Sequence, residues 1–277
     1  MTGEQRTVRL SGGALMPRVG FGTSPMTSEE AAVAVKEAIG LGYRLIDTAF
    51  AYKNEEGVGR AIASSEVPRE ELFVTTKFNA ESHGVDLVRE AWAGSVERLG
   101  LDYLDLLLIH WPNPGRDRFV DAWRGLIKLR DEGMVRSIGV SNFKPGHIDR
   151  IIEETGVAPE VNQVQLSPYL TRQGTRSYDA QHGVVTESWS PIGAGGGLLE
   201  EPAILDVADR HGRTPAQIVL RWHLELGLVV IPKTSSGERM AENLDVFDFA
   251  LGEEEIAALS SLDRGEAAAV DSDAFGH

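Results

Sequence analysis

The chain has no cysteine among its 277 residues. That absence removes disulfides, thiolate nucleophiles and thiolate metal sites together. Lysine is scarce too, with six among the 27 basic residues. Acids outnumber bases 42 to 27, and the net charge of −15 argues against nucleic acid, whose phosphates need clustered cations. A small anionic ligand stays open, because a pocket can be basic within an acidic protein. No apolar run approaches the roughly 20 residues of a membrane span. The opening Met1–Arg6 segment lacks the apolar core of a signal peptide. The expectation is a cytoplasmic protein without a membrane partner. Also missing is any Gly-x-Gly-x-x-Gly after a strand-like run. The cluster of Gly193 and Gly195–Gly197 has the wrong spacing, which argues against a Rossmann domain.

What is present is an ordinary globular balance, 42% hydrophobic and 25% charged, enough to build a core. Short apolar runs recur, and several end in a residue that can do chemistry. Arg44-Leu45-Ile46 ends in Asp47, Leu72–Thr76 in Lys77, and Leu106–Ile109 in His110, while Tyr52 follows Asp47 in the next loop. Runs apolar on both faces read as buried parallel strands. In a closed barrel their C-terminal ends converge, bringing an acid, a phenol, an amine and an imidazole into one pocket. Each residue alone reads equally well as a strand terminator or a salt-bridge partner; the set of four carries the argument.

Strand-like and helix-like segments alternate along the chain. Strands are expected at Val19–Thr23, Leu45–Asp47, Leu72–Lys77, Asp105–His110, Ser137–Ser141, Val161–Gln165, Val184–Trp189 and Leu228–Ile231. Thr27 with Glu30 forms a capping box ahead of a helix over Ser28–Leu41. Thr214-Pro215-Ala216-Gln217 is a second strong helix start. Val8–Leu10 and Ala14–Met16 around Ser11-Gly12-Gly13 read as a hairpin. The fold class expected is α/β: a (β/α)8 TIM barrel preceded by a β-hairpin, with extra helices after strand 7 (Pro202–His211) and near the C-terminus. The whole chain, 1–277, reads as one domain. The stretch 264–277 reads as a tail of uncertain order, placed near the substrate pocket.

A tyrosine ionises near pH 10, too high for easy proton transfer at neutrality. An adjacent ammonium lowers that value, and a carboxylate holds the ammonium in place. Asp47, Lys77 and Tyr52 are expected to form that relay, with His110 orienting a carbonyl oxygen. The chemistry suggested is carbonyl reduction, the hydride coming from a cofactor. TIM barrels often bind phosphate in the loops after strands seven and eight, here Ser188–Gly193 and Lys233–Ser236. Arg239, near the start of the last helix, opposes the helix dipole unless an anion sits there. Beyond Asp47 and His110 the strand ends supply no further carboxylate or histidine, so no metal is expected.

Nearly the whole chain resembles the aldo-keto reductases. The motifs that carry the likeness are Gly20–Thr23, Ile46–Tyr52 with Asn54-Glu55, Thr75–Lys77, Leu106–Pro112, Ile138–Phe143, Val161–Gln165, Trp189–Pro191, Ile231–Thr234, Arg239 and Glu242-Asn243. The short segment after His110 resembles the bacterial branch containing 2,5-diketo-D-gluconate reductases. The resemblance implies a catalytic tetrad of Asp47, Tyr52, Lys77 and His110, with Tyr52 as general acid, and NADPH as cofactor. Ser141, Asn142 and Gln163 would hold the nicotinamide carboxamide, and Trp189 would stack on its ring. Lys233, Thr234 and Arg239 would bind the 2′-phosphate, with Glu242 and Asn243 at the adenine. Gly22, Thr23, Ser190, Pro191, Gly193 and Ser235 complete the expected cofactor surface. Phe21, Met26, Phe50, Phe78 and Trp111 are expected substrate-pocket walls. The substrate implied is a small carbonyl, an α-dicarbonyl or a keto-sugar, turned over by a monomer. The alternative is a nucleotide-binding regulatory or sensor barrel with little turnover.

Overall fold

The computed structural model describes residues 6–193 and 195–276. A two-stranded antiparallel hairpin comes first, β1 (Thr7–Arg9) and β2 (Leu15–Pro17), with Val8 opposite Met16. Eight parallel strands follow, each paired with its neighbours in chain order: β3 (Gly20–Gly22), β4 (Leu45–Asp47), β5 (Phe73–Phe78), β6 (Leu104–Ile109), β7 (Val135–Ser141), β8 (Val161–Gln165), β9 (Val185–Trp189) and β10 (Val229–Ile231). The last strand returns to the first. Val19 bridges Val230 in parallel, and Gly22 N–H donates to the Pro232 carbonyl at 3.1 Å. The sheet closes as a (β/α)8 barrel.

The outer layer is helical: α1 (Ser28–Leu41), α2 (Glu55–Ala63), α3 (Leu87–Leu99), α4 (Phe119–Asp131), α5 (Pro145–Thr155), α6 (Gln173–Gln181) and α8 (Pro215–Glu225). The additions are α7 (Pro202–His211) after the seventh barrel strand, then α9 (Gly237–Leu244) and α10 (Glu253–Ser260). Both capping boxes form, Thr27 with Glu30 and Thr214 with Gln217. They satisfy backbone N–H groups that a helix start leaves orphaned.

Period-two alternation sorts each strand's side chains between two cores. Leu45, Phe73, Leu106, Leu108, Val161, Val229 and Ile231 fill the barrel interior. Ile46, Val74, Leu107, Ile138 and Val140 face the helices. Leu10 and Met16 of the hairpin pack into the interior cluster and plug the N-terminal end of the barrel. Polar side chains therefore gather at the opposite end.

The stretch after Arg264 lies against the barrel. Arg264 N–H bonds the Tyr169 carbonyl at 2.9 Å, and Lys144 Nζ reaches Asp271 at 2.7 Å and Asp273 at 2.6 Å. Phe275 meets the Trp111 ring edge-on, with centroids 4.8 Å apart.

Helices α1 and α2 touch so closely that Gly57 has no room for a side chain. A Cβ there would sit 1.9 Å from the Ser28 carbonyl oxygen. Gly40, exposed on α1, has nothing within 4 Å of the same point. Helix propensity alone favours alanine at both positions by about 0.5–1 kcal/mol. We expect Gly40→Ala to stabilise by about that amount, and Gly57→Ala to destabilise by about 1–3 kcal/mol. Urea unfolding of both variants checks this; a more stable Gly57→Ala protein would contradict the packing.

Candidate active site

Asp47 ends β4, Lys77 lies on β5 two residues beyond Thr75, and Thr75 pairs with Asp47 across the ladder. The alternation that puts Thr75 inside puts Lys77 inside as well. Its side chain is 0% exposed. Lys77 Nζ donates to Asp47 Oδ1 at 2.7 Å, Asp47 Oδ2 at 2.9 Å and the Thr48 carbonyl at 2.9 Å, and lies 3.4 Å from the Tyr52 hydroxyl. His110 follows the end of β6, and its ring stands edge-on to Tyr52, centroids 5.7 Å apart. The four residues expected to converge do so.

Tyr52 sits in a single 3-10 turn, Phe50–Tyr52. The loops around it are pinned by Asn54, whose Nδ2 donates to the Thr23 and Met26 carbonyls while Oδ1 accepts from Thr48 Oγ1 at 2.7 Å. Burial on its own would discharge Lys77, but the Asp47 carboxylate and then Tyr52 outweigh it, and the ammonium is held above its ordinary pKa. For Tyr52 the balance runs against the sequence expectation. Burial raises the phenol's pKa by more than Lys77 lowers it. The structure thus holds a phenol with its proton on, as a donor requires.

Asp47, Tyr52 and His110 open onto a cavity of about 420 Å³, with Lys77 buried behind them. Gly22, Thr23, Ser24 and Pro25 form one wall; Trp111, Trp189, Ser190, Pro191 and Ile192 form the other; Ser141, Asn142, Gln163 and Lys233 complete it. Asn142 and Ser190 take left-handed backbone angles, φ +63° and +52°. Asn142 Nδ2 donates to the His110 carbonyl and to Ser141 Oγ, and Oδ1 accepts from Trp189 Nε1 at 3.0 Å. The indole is thereby fixed against the loop after β7.

Not every expected residue reaches this cavity. Phe21 is buried between sheet and helices, edge-on to Tyr43 at 5.6 Å, and Met26 is in the same layer. Phe50 turns away from the mouth, because residues two apart in a three-residue turn point about 120° apart. It stacks under the Arg98 guanidinium at 4.9 Å and, with Phe78, lines a separate cavity of about 230 Å³ beside α3. Of the five proposed walls, Trp111 alone lines the main cavity. Gly193, at φ +79°, packs on Leu198. Thr234, Ser235, Arg239, Glu242 and Asn243 lie beyond the cavity, on the loop after β10 and on α9. Ser236 caps that helix by accepting from Arg239 N–H. Among the described residues, neither Lys233 nor Arg239 has an ion-pair partner within 4.0 Å. That donor set suits a phosphate. No group of three or more histidines and acids suited to a metal occurs among the described residues.

One residue of the site was missed. Glu187 lies inside β9, wholly buried, and its Oε2 accepts from Gln163 Nε2 at 2.8 Å. The same Nε2 donates to Asp47 Oδ2 at 2.9 Å. Burial, then the nearby Asp47 charge, pushes the Glu187 carboxyl up to about 8. The available signal was phase: Glu187 stands two residues before Trp189, so the two share a face.

With this geometry in view, the comparisons are unambiguous. Residues 17–264 match the Aldo/keto reductase family. The chain belongs to that family. It is 48% identical over 270 residues to methylglyoxal reductase DkgA of Escherichia coli K12, covering 97% of this chain and 98% of that one. An aldo-keto reductase of Mycolicibacterium smegmatis is 49% identical over 259 residues, 94% of each chain. Among solved structures, a Gox0644 mutant in complex with NADPH superposes with a TM-score of 0.92 at 41% identity, covering 97% of this chain and 98% of that one.

Glu187 generates a pH prediction for this family member. An unfolded glutamate titrates near its ordinary 4.5, and the folded one near 8. Between those values the folded state holds a proton that the unfolded state has lost, so stability falls as pH rises. Glu187→Gln removes that contribution. We expect the melting temperature of wild type, relative to Glu187→Gln, to decline from pH 5 to pH 8 and then level. Parallel melting curves across that range would show that Glu187 is ionised in the fold.

Proposed function

We propose that this chain is an NADPH-dependent reductase of small aldehydes and ketones, α-dicarbonyls in particular, with Asp47, Tyr52, Lys77 and His110 as its catalytic set. The observation that carries the reading is the Lys77 ammonium, buried and bonded to Asp47 beneath the Tyr52 hydroxyl. When bound, NADPH supplies the hydride that attacks the carbonyl carbon. Tyr52 gives its proton to the carbonyl oxygen as charge develops there. Lys77 stabilises the phenolate left behind, and Asp47 keeps the ammonium in register. His110 orients the carbonyl oxygen toward Tyr52. Trp189 would flank the nicotinamide ring, and Ser141, Asn142 and Gln163 would line its carboxamide. Lys233, Thr234 and Arg239 would hold the 2′-phosphate, with Glu242 and Asn243 at the adenine. The α-dicarbonyl preference draws support from the E. coli relative named for methylglyoxal. We further propose that 1–277 act as one barrel domain and a cytoplasmic monomer, with 264–277 beside the substrate; the Phe275–Trp111 contact supports that placement of the tail.

Tyr52→Phe removes the proton donor while keeping the ring. Reduction of methylglyoxal, followed as loss of NADPH absorbance with chelator present, should fall by about a hundredfold to ten-thousandfold, with NADPH binding little changed. Unaltered turnover would sink the assignment of Tyr52.

Arg239→Ala addresses the cofactor. A charge-assisted bond to the 2′-phosphate contributes roughly 1.5–3 kcal/mol, so NADPH affinity should drop about tenfold or more. NADH affinity should barely move. Equal losses for both would place Arg239 in the fold or at the shared pyrophosphate, and NADPH selectivity would need another source.

A further inference from the structure

A carboxyl group inside a barrel strand is costly, and Glu187 has little to show for that cost in fold stability. Its Oε2 accepts one hydrogen bond, from Gln163. Its Oε1 is buried with no hydrogen-bond partner among the described residues. A hydrocarbon of the same size would fill the space and remove the orphaned Oε1, at the expense of one acceptor for Gln163 Nε2. The neighbours on its face of β9, Val185 and Trp189, pack into the interior cluster. A reason for an acid at this point has to come from what it touches, and that is Gln163.

The two hydrogens on Gln163 Nε2 are both taken: one by Asp47 Oδ2 at 2.9 Å, the other by Glu187 Oε2 at 2.8 Å. Turned over, the amide would set its own oxygen against an Asp47 oxygen at that same short distance. Gln163 itself lines the cavity, and its Oε1 makes no hydrogen bond among the described residues. With both nitrogen hydrogens engaged, the acceptor left on the Gln163 amide is its oxygen. The rest of that wall is already committed. Ser141 Oγ donates to the Gln163 carbonyl at 2.9 Å. Asn142 spends its amide on His110, Ser141 and the Trp189 indole. Gln163 Oε1 is thus the acceptor this wall keeps in reserve.

We propose that Glu187 is a positioning residue: acting with Asp47, it locks the Gln163 amide so that Oε1 faces the cavity as a fixed acceptor for the N–H group of the nicotinamide carboxamide. The inference rests on the NADPH reading above and deepens it. Glu187 touches neither cofactor nor substrate; its effect is to make the site distinguish a carboxamide from a group of the same shape that lacks the donor. Asp47 excludes the turned-over amide, and burial, which raises the Glu187 pKa, tempers the negative charge this second acceptor adds beside it.

The test uses the full chain and two ligands, NADPH and its reduced 3-acetylpyridine analogue, in which a methyl group replaces the carboxamide nitrogen. Affinities are measured by calorimetry, so the readout is binding and not turnover. Wild type should prefer NADPH, and Gln163→Leu should abolish the preference. Glu187→Met should shrink it by about tenfold, the worth of one well-placed hydrogen bond, through weaker NADPH binding and unchanged analogue binding. Glu187→Gln, which restores an acceptor at the same point, should recover it. The melting temperature of Glu187→Met should match or exceed wild type; a large fall together with equal loss of both ligands would make Glu187 a structural residue and overturn the proposal. If Glu187→Met does not fold, Glu187→Gln against Glu187→Thr gives the same comparison, and equal preference in those two overturns it as well. A preference lost in Gln163→Leu but intact in Glu187→Met would leave the carboxamide contact standing and remove Glu187 from it. A preference unmoved by Gln163→Leu would remove both.

Discussion

A lysine ammonium taken wholly out of water governs the chemical end of this barrel. An isolated charge there would cost many kcal/mol, and it persists only because every direction around Lys77 Nζ ends in an acceptor. Asp47 offers both carboxylate oxygens, Thr48 its carbonyl and Tyr52 its hydroxyl. Three N–H bonds serve those four acceptors, so the ammonium has none left for a ligand. Of this cluster, Tyr52 presents its hydroxyl to the cavity, with His110 beside it. The constraint spreads outward. Asp47 Oδ2 is shared with Gln163, and Gln163 with Glu187. The Asp47 carbonyl accepts from Thr23 Oγ1, which ties the wall at Gly22–Pro25 to the same acid.

Much of the fold was legible in the sequence because parallel barrel strands are apolar on both faces and end abruptly in polar residues. Leu45–Asp47 and Val161–Gln165 coincide with their expected bounds, and the others differ by a residue or two at one or both ends. His110 is such a case, lying just past β6. Barrel closure was expected, yet the contacts that achieve it, the Val19–Val230 bridge and the Gly22–Pro232 hydrogen bond, are ones that local pattern does not announce.

The site was legible where chain direction alone decides side-chain direction and obscure where phase or depth decides. Asp47, Lys77 and His110 sit at strand ends, so convergence followed from topology. Phe50 is two residues from Tyr52 within one tight turn, and there the rotation per residue sends the ring to α3 instead of the mouth. The Tyr52 pKa is a contest between burial and Lys77, and only depth tells which prevails. Glu187 lies inside a strand and not at its end, and only its phase with Trp189 puts it on the inner face.

The hairpin plug has a consequence for anything joined to this molecule. Residues 6–18 seal one end, and the route to the interior lies at the other. Arg6 lies at the sealed end, whereas Phe275 packs on Trp111, one residue from His110. A reporter or immobilising linker attached near Arg6 therefore meets the closed end, and one attached near Phe275 meets the mouth. The barrel has a front and a back, and attachment chemistry has to respect which is which.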